Sequence, residues 1–195
     1  MPQNQPDKRL IWSRWDRWLA SWRYAEIKKR MRTPAIVCDI GCGMSGEFLR
    51  LISARIVQGY GFDRKVRPET VGNIQLQPVA DLNVGLPLAD ESVDHVTMIA
   101  LIEHVAEPLE LLAEARRILK IGGRLIISTP SPKAKPLLEF LAFRLKMIAA
   151  DEIADHKFYY PAASLRQCLE QAGFSDIVIE TFQFGFNQIA MAQKD

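Results

Sequence analysis

The stretch AIVCDIGCGMSG, residues 35–46, decides the fold of this 195-residue chain. Its first half, residues 35–40, is a short apolar run rich in β-branched residues, which predicts a buried strand. Its second half, residues 41–46, matches G-x-G-x-x-G, and apolar residues at helical spacing follow over residues 48–52. A second apolar run at residues 57–62 completes a strand–turn–helix–strand unit. Such a unit predicts a parallel sheet with a right-handed crossover.

The same alternation continues along the chain. It predicts strands and helices in turn, with strands at residues 74–80, 93–100 and 124–129 and helices at residues 108–120, 133–150 and 162–172. Two last strands, residues 176–182 and 187–192, are too close in sequence for a crossover and must form an antiparallel hairpin. We therefore predict an α/β domain over residues 34–195, with a doubly wound, mainly parallel sheet and an antiparallel C-terminal hairpin. The link at residues 64–73 has room for a short helix at most.

Residues 1–33 are predicted to form a basic, Trp-rich helical arm. Nine Lys/Arg and three Asp/Glu give the arm a charge of +6, whereas the whole chain carries +2. The arm could contact an anionic membrane or substrate, or it could be a helix with a solvated basic face. Trp12, Trp15 and Trp22, with Leu19, can share one helical face. That face predicts a lid over a ligand, an interfacial helix, or a helix packed on the domain by its aromatic side.

The composition, 48% hydrophobic and 25% charged, is typical of a globular domain. Three cysteines, with no secretory signal or apolar span in the sequence, favour a reducing cytoplasm over a disulfide scaffold. Cys38 and Cys42 have no second Cys/His pair to complete a zinc set, so we predict no metal.

The carboxylate of Asp39, two residues before Gly41, discriminates between ligands of the glycine motif. This motif lets a ligand approach the backbone closely, and it occurs in NAD sites. Asp39 would repel a pyrophosphate but attract S-adenosylmethionine, which carries an ammonium and a sulfonium and no phosphate. Asp63 can accept from two ribose hydroxyls, and Asp81 from an adenine amino group. The alternatives are a nicotinamide-dependent oxidoreductase and a non-catalytic S-adenosylmethionine-binding module.

In these motifs the chain resembles the class I S-adenosylmethionine-dependent methyltransferases, in the subgroup called type 11. The matching stretches lie within residues 35–194 and are VCDIGCG (37–43), Asp63, Asp81-Leu82, Val93-Asp94, IEHV (102–105) and LKIGGRLII (119–127). The resemblance implies that the glycine motif lines the methionine portion, that Asp63 binds the ribose and that Arg64 flanks the adenine. The cofactor-binding residues it implies are Asp39, Gly41, Cys42, Gly43, Asp63, Arg64, Asp81, Leu82, Ile99 and Ala100.

Methyl transfer from a sulfonium is an in-line displacement with an activated donor, so the protein mainly supplies alignment. Where the acceptor must lose a proton, His104 and His156 are the candidate bases. His104 could instead be a positioning group, and His156 a loop residue bonded to backbone. The apolar segment 133–150 favours a small, hydrophobic or lipid/glycan-linked acceptor, methylated at oxygen. We expect no nucleic-acid acceptor, because no Asn/Asp-Pro-Pro-aromatic motif follows the fourth predicted strand.

Overall fold

The computed structural model describes residues 14–83, 85–139 and 158–195. Its strands are β1 (Ile36–Ile40), β2 (Gln58–Asp63), β3 (Glu69–Val71), β4 (Ile74–Pro78), β5 (Val93–Ile99), β6 (Leu119–Pro130), β7 (Ser175–Phe182) and β8 (Asn187–Gln193). Its helices are α1 (Arg14–Arg30), α2 (Glu47–Ile52), α3 (Pro108–Ile118), α4 (Ala134–Glu139) and α5 (Ala162–Gln171).

These strands form one sheet in the order β3-β4-β2-β1-β5-β6-β8-β7. The five neighbouring strands β4, β2, β1, β5 and β6 are mutually parallel. Strand β8 is antiparallel to both of its neighbours, so the last two strands form the expected hairpin, with β8 inserted beside β6. The predicted mainly parallel sheet with an antiparallel C-terminal hairpin is confirmed.

The link between β2 and β4 contains a strand instead of a helix. Strand β3 pairs antiparallel with β4, and Val71 lies opposite Ile74. Gly72, with φ of 58°, adopts the left-handed conformation that the tight turn between them needs. The short helix that the sequence allowed in this link is therefore not formed.

Strand β6 begins at Leu119, earlier than the predicted residue 124. Leu119 pairs with Val93, and the register then shifts so that Arg124 lies opposite His95. Helix α3 accordingly ends at Ile118, before the predicted residue 120. The Gly122-Gly123 pair therefore lies within the strand.

Successive side chains of a strand point to opposite faces of the sheet, and helices cover both faces. On β6, Leu125 and Ile127 pack in the core beneath α3 and α5, whereas Ile126 packs in the core beneath α1 and α2. Ile27 of α1 is fully buried and shares the second core with Phe48. The last turns of α1 thus form part of the domain core. The proposed division of the chain at residue 33 stays a prediction.

This arrangement gathers the carboxyl ends of β1, β2, β4, β5 and β6 at one edge of the sheet. In open α/β sheets, ligands bind in the crevice at this edge. The glycine motif, which directly follows β1, lies here.

Candidate donor-binding site

The glycine loop after β1 is held against β2 by its backbone. The amide of Gly41 donates to the carbonyl of Phe62 at 2.7 Å. Gly41 has φ of 76°, and a Cβ placed on it would lie 2.9 Å from Leu101 Cδ1. Gly43 also has a positive φ, but a Cβ on it would meet no atom within 4 Å. Close packing at Gly41 and open space at Gly43 make the Gly43 side of the loop the one that a ligand can approach.

The carboxylate of Asp63, at the end of β2, is bonded to this loop. Its Oδ2 accepts from the Gly43 amide at 3.0 Å, and its Oδ1 accepts from the Lys65 amide at 2.8 Å. Each carboxylate oxygen keeps a second lone pair, which can accept from a hydroxyl. The structure therefore brings Asp63 and the glycine motif together, and the ribose contact of Asp63 stays a prediction.

The carboxylate of Asp39 is 1% exposed and lies within β1. Thr97 Oγ1 on β5 donates to its Oδ1 at 2.6 Å. Burial raises the pKa of Asp39 to about 7; the hydrogen bond from Thr97 opposes the rise, and the charge of Asp63 adds to it. A buried carboxylate of this kind is stabilised by an incoming cation. This fits the electrostatic role that the sequence predicts.

The residues predicted around the adenine lie in the segments that follow β2 and β4. Asp81 is exposed, and its Oδ1 accepts from the Asn83 amide at 2.9 Å, within a turn after β4. Leu82 is buried in the core on the α3 side, and Arg64 is exposed. The adenine contacts of all three stay predictions.

The end of β5 supplies the remaining predicted contacts. Ala100 has φ of 52°, unusual for a residue with a side chain, and its amide donates to Ser128 at 2.9 Å. Strained backbone of this kind clusters at functional sites. Ile99 is partly buried beside it.

Burial raises the pKa of the Cys42 thiol in the glycine loop well above its usual range, so this cysteine is a neutral packing group.

The turn after β5 contains an acid that the sequence analysis overlooked. His104, the predicted base, is half-buried there, whereas His156 lies outside the described residues. Between Ile102 and His104, Glu103 is 1% exposed, and its Oε2 accepts from Thr129 Oγ1 at 2.9 Å. Burial raises the pKa of Glu103. The motif IEHV contains this acid next to His104, and a carboxylate can act as a base as well as a histidine.

Helix α1 reaches the same edge of the sheet. Tyr24 OH donates to Glu47 Oε2 at 3.3 Å, at the start of α2. Burial raises the pKa of Tyr24, and the charges of Glu47 and Asp39 raise it further. Burial lowers the pKa of the adjacent Arg23, whereas the charge of Glu103 raises it. Arg23 and Tyr24 therefore lie within electrostatic reach of the β1 and β5 ends.

Helix α1 packs on the domain through Ala20 and Ile27, which are buried. Trp22 is partly buried, with its ring centroid 5.9 Å from that of Phe184, and Trp18 is 48% exposed. The role of the aromatic face stays a prediction. Trp12 and the side chain of Trp15 lie outside the described residues.

A cavity of about 580 Å³ lies away from this edge. Its charged lining is engaged within the protein: Arg117 pairs with Asp90, Lys194 pairs with Glu91, and Arg116 donates to the Gly173 carbonyl at 2.9 Å. It contains no residue of the glycine loop. The crevice at the carboxyl edge therefore remains the candidate donor site.

Comparison with known proteins identifies the family. Residues 11–179 match the family described as methyltransferase domain. A ubiquinone/menaquinone biosynthesis C-methyltransferase of Desulfotalea psychrophila is 34% identical over 123 residues, which are 55% of this chain and 49% of that protein. A probable S-adenosylmethionine-dependent methyltransferase of Mycolicibacterium smegmatis is 33% identical over 150 residues, 71% of this chain and 51% of that protein. The chain spans about half the length of these relatives.

A solved structure agrees with the fold. The S-adenosylmethionine-dependent methyltransferase of Archaeoglobus fulgidus superposes with a TM-score of 0.71 at 21% identity, covering 91% of this chain and 94% of that one. The predicted class I methyltransferase fold is thereby confirmed. Since the family model covers most of the chain, the protein belongs to the methyltransferase domain family.

Proposed function

We propose that the protein transfers the methyl group of S-adenosylmethionine to a small, apolar acceptor with an ionisable hydroxyl group. The aromatic surface beside the turn after β5 carries this proposal. The Phe158 amide donates to the Glu103 carbonyl at 3.3 Å, and the Phe158 and Tyr160 rings are 4.7 Å apart. Phe158 is 48% exposed. An apolar ring system binds well to exposed aromatic faces of this kind.

The relatives support this class of acceptor. Several are named as C-methyltransferases of ubiquinone/menaquinone biosynthesis, and others as demethylmenaquinone methyltransferases. An ionised hydroxyl on an unsaturated ring has two nucleophilic atoms, the oxygen and the neighbouring carbon. We keep oxygen as the predicted methylated atom, and product analysis separates the two.

A row of surface rings supports contact with an anionic membrane, where an apolar acceptor concentrates. Trp18 and Trp22 have ring centroids 5.3 Å apart, and Trp22 and Phe184 are 5.9 Å apart. Phe184 is 86% exposed at the tip of the β7–β8 turn, and Lys133 lies beside this turn. Aromatic rings next to cations are typical of interfacial binding. No helix of the described ranges is both long and apolar enough to cross a membrane. A cytoplasmic location stays a prediction.

Turnover with a panel of acceptors tests the proposed function. The intact protein is incubated with methyl-labelled S-adenosylmethionine and phenols, naphthols and hydroxyquinones of increasing apolar size. We expect kcat/KM to rise with apolar size, and O-methyl products by NMR. A C-methyl product would correct the atom only. Preferred methylation of a polar amine would contradict the acceptor class, and donor binding without any turnover would favour the non-catalytic module.

A further inference from the structure

Two buried polar atoms at the carboxyl edge have no hydrogen-bond partner among the residues that the structure describes. One is Oε1 of Glu103, on a side chain that is 1% exposed, and the other is Nε of Arg23 on α1. A buried polar group without a partner is destabilising by about 1–3 kcal/mol, and more when charged. Such groups persist in folded proteins mainly where a ligand or a water completes them.

The two atoms belong to one electrostatic environment. The charge of Glu103 acts on Arg23, and the charge of Arg23 acts on Glu103. Within the described ranges both atoms nevertheless remain unpaired, so they differ from the closed ion pair of Lys120 and Asp94, at 2.7 Å. One is an unused acceptor and the other an unused donor.

The position of the two atoms connects them with the donor site. Glu103 lies four residues beyond the end of β5 and two residues after Leu101, which packs on Gly41 of the glycine loop. Arg23 precedes Tyr24, whose hydroxyl experiences the charge of Asp39. A ligand between Arg23 and Glu103 would therefore lie beside the methionine end of the donor.

A hydroxyl group satisfies both atoms, because it donates one hydrogen bond and accepts others. We propose that Glu103 accepts the proton of the acceptor's hydroxyl and that Arg23 stabilises the resulting oxyanion. This inference rests on the proposed function and assigns the base within it. Glu103 then replaces His104 as the residue that removes the proton.

The proposed step is balanced in atoms and charge. The O–H bond breaks and its proton moves to Oε1 of Glu103. An electron pair of the oxyanion forms the new bond to the methyl carbon of S-adenosylmethionine. The carbon–sulfur bond breaks, and its electron pair stays on the sulfur of S-adenosylhomocysteine. Glu103 afterwards releases the proton to water.

The pH dependence follows from the groups that surround Glu103. Burial raises its pKa. The hydrogen bond from its own backbone amide, the charge of His104 on the same turn, the hydrogen bond from Thr129 and the charge of Arg23 on α1 oppose the rise, in decreasing order. Tyr160, before α5, lies close enough for its own pKa to be raised by Glu103, after burial and Cys168. Only ionised Glu103 accepts a proton, so kcat/KM rises with pH through the Glu103 pKa.

Spectroscopic titration of a bound probe tests the inference apart from turnover. 2-Naphthol is bound to the intact protein in the presence of S-adenosylhomocysteine, and its ionisation is followed by absorbance. We expect the pH of half-ionisation to fall by about one unit relative to buffer, a tenfold shift. Arg23→Met should abolish this shift, and Arg23→Lys should keep part of it. Glu103→Gln should lower kcat about a hundredfold and remove the rising limb of the pH profile.

Lys29→Met and Glu107→Gln are the matched controls, because both residues are exposed and lie on the same segments as Arg23 and Glu103. Both should behave as the wild type, and every variant must remain folded at the temperature of the assay. Unchanged naphthol ionisation in the Arg23 and Glu103 variants would overturn this inference but not the proposed function. So would an Arg23→Met variant that binds S-adenosylhomocysteine tenfold more weakly but ionises naphthol normally, since the guanidinium would then serve the donor. If the wild type neither binds nor methylates any hydroxylated probe, the proposed function fails as well.

Discussion

The substitution Asp39→Asn should stabilise the ligand-free protein, and more so at high pH. The unfolded chain ionises this carboxyl near 3.8, whereas burial keeps it protonated in the folded protein until the pKa of about 7. Between these values the folded state binds more protons, so wild-type stability falls as pH rises and levels off above about pH 7. Asparagine cannot ionise and escapes this loss, and its amide oxygen can still accept from Thr97.

The expected magnitude follows from the size of the pKa rise. A rise from 3.8 to about 7 corresponds to about 4 kcal/mol, the expected advantage of the variant at about pH 8. At about pH 5 only part of the interval between the unfolded and folded pKa values of Asp39 has been crossed. The advantage of the variant there should be about 1.6 kcal/mol. Urea denaturation of both proteins at the two pH values measures the difference.

Asp94→Asn is the control of opposite sign. Burial favours a higher pKa for Asp94, but the hydrogen bonds from Ile36 and Lys120 outweigh it and hold this pKa below its usual range. A lowered pKa contributes stability above the unfolded value, so this variant should be less stable than the wild type at both pH values. An Asp39→Asn variant whose advantage is absent, or shrinks as pH rises, would refute the account of Asp39 as a buried charge that awaits a cation.

Three further substitutions test the site and the surface. Asp63→Ala should weaken binding of S-adenosylhomocysteine by roughly 1.5–3 kcal/mol, because hydrogen bonds to a charged group are lost; unchanged affinity by calorimetry in a folded variant would remove the ribose assignment. Gly41→Ala should weaken donor binding, since its Cβ would lie 2.9 Å from Leu101 Cδ1, which must move, whereas Gly72→Ala, which adds a positive-φ strain but no close contact, should bind normally. Phe184→Ala should reduce co-sedimentation with acidic vesicles, and binding of the wild type should weaken with salt; equal sedimentation of both proteins would argue against the membrane contact.

Local sequence patterns were sufficient to predict most of the sheet. The period of the apolar runs located the central strands, and the short link at residues 183–186 determined the direction of the last hairpin. Asp63 lies beside the glycine loop because the parallel strands β1 and β2 end at the same edge of the sheet. Each of these features depends on neighbours in sequence or on a known crossover.

Features that depend on pairing between segments distant in sequence could not be predicted from local sequence patterns. Strand β3 has three exposed residues and no apolar alternation, so it exists only because β4 offers it a partner. The early start of β6 likewise depends on the pairing of Leu119 with Val93. Arg23 and Glu103 are separated by many residues, and no local period relates them. Their common environment arises from the packing of α1 on the sheet.

Calorimetric titration of the intact protein with S-adenosylhomocysteine and with NAD is the most direct test of the central claim. The claim is that the loop of Gly41 to Gly46, with Asp39 and Asp63, binds a cationic donor without phosphate. We expect S-adenosylhomocysteine to saturate one site and NAD to give no binding heat at the same concentrations. Saturable binding of NAD, with none of S-adenosylhomocysteine, would contradict the account.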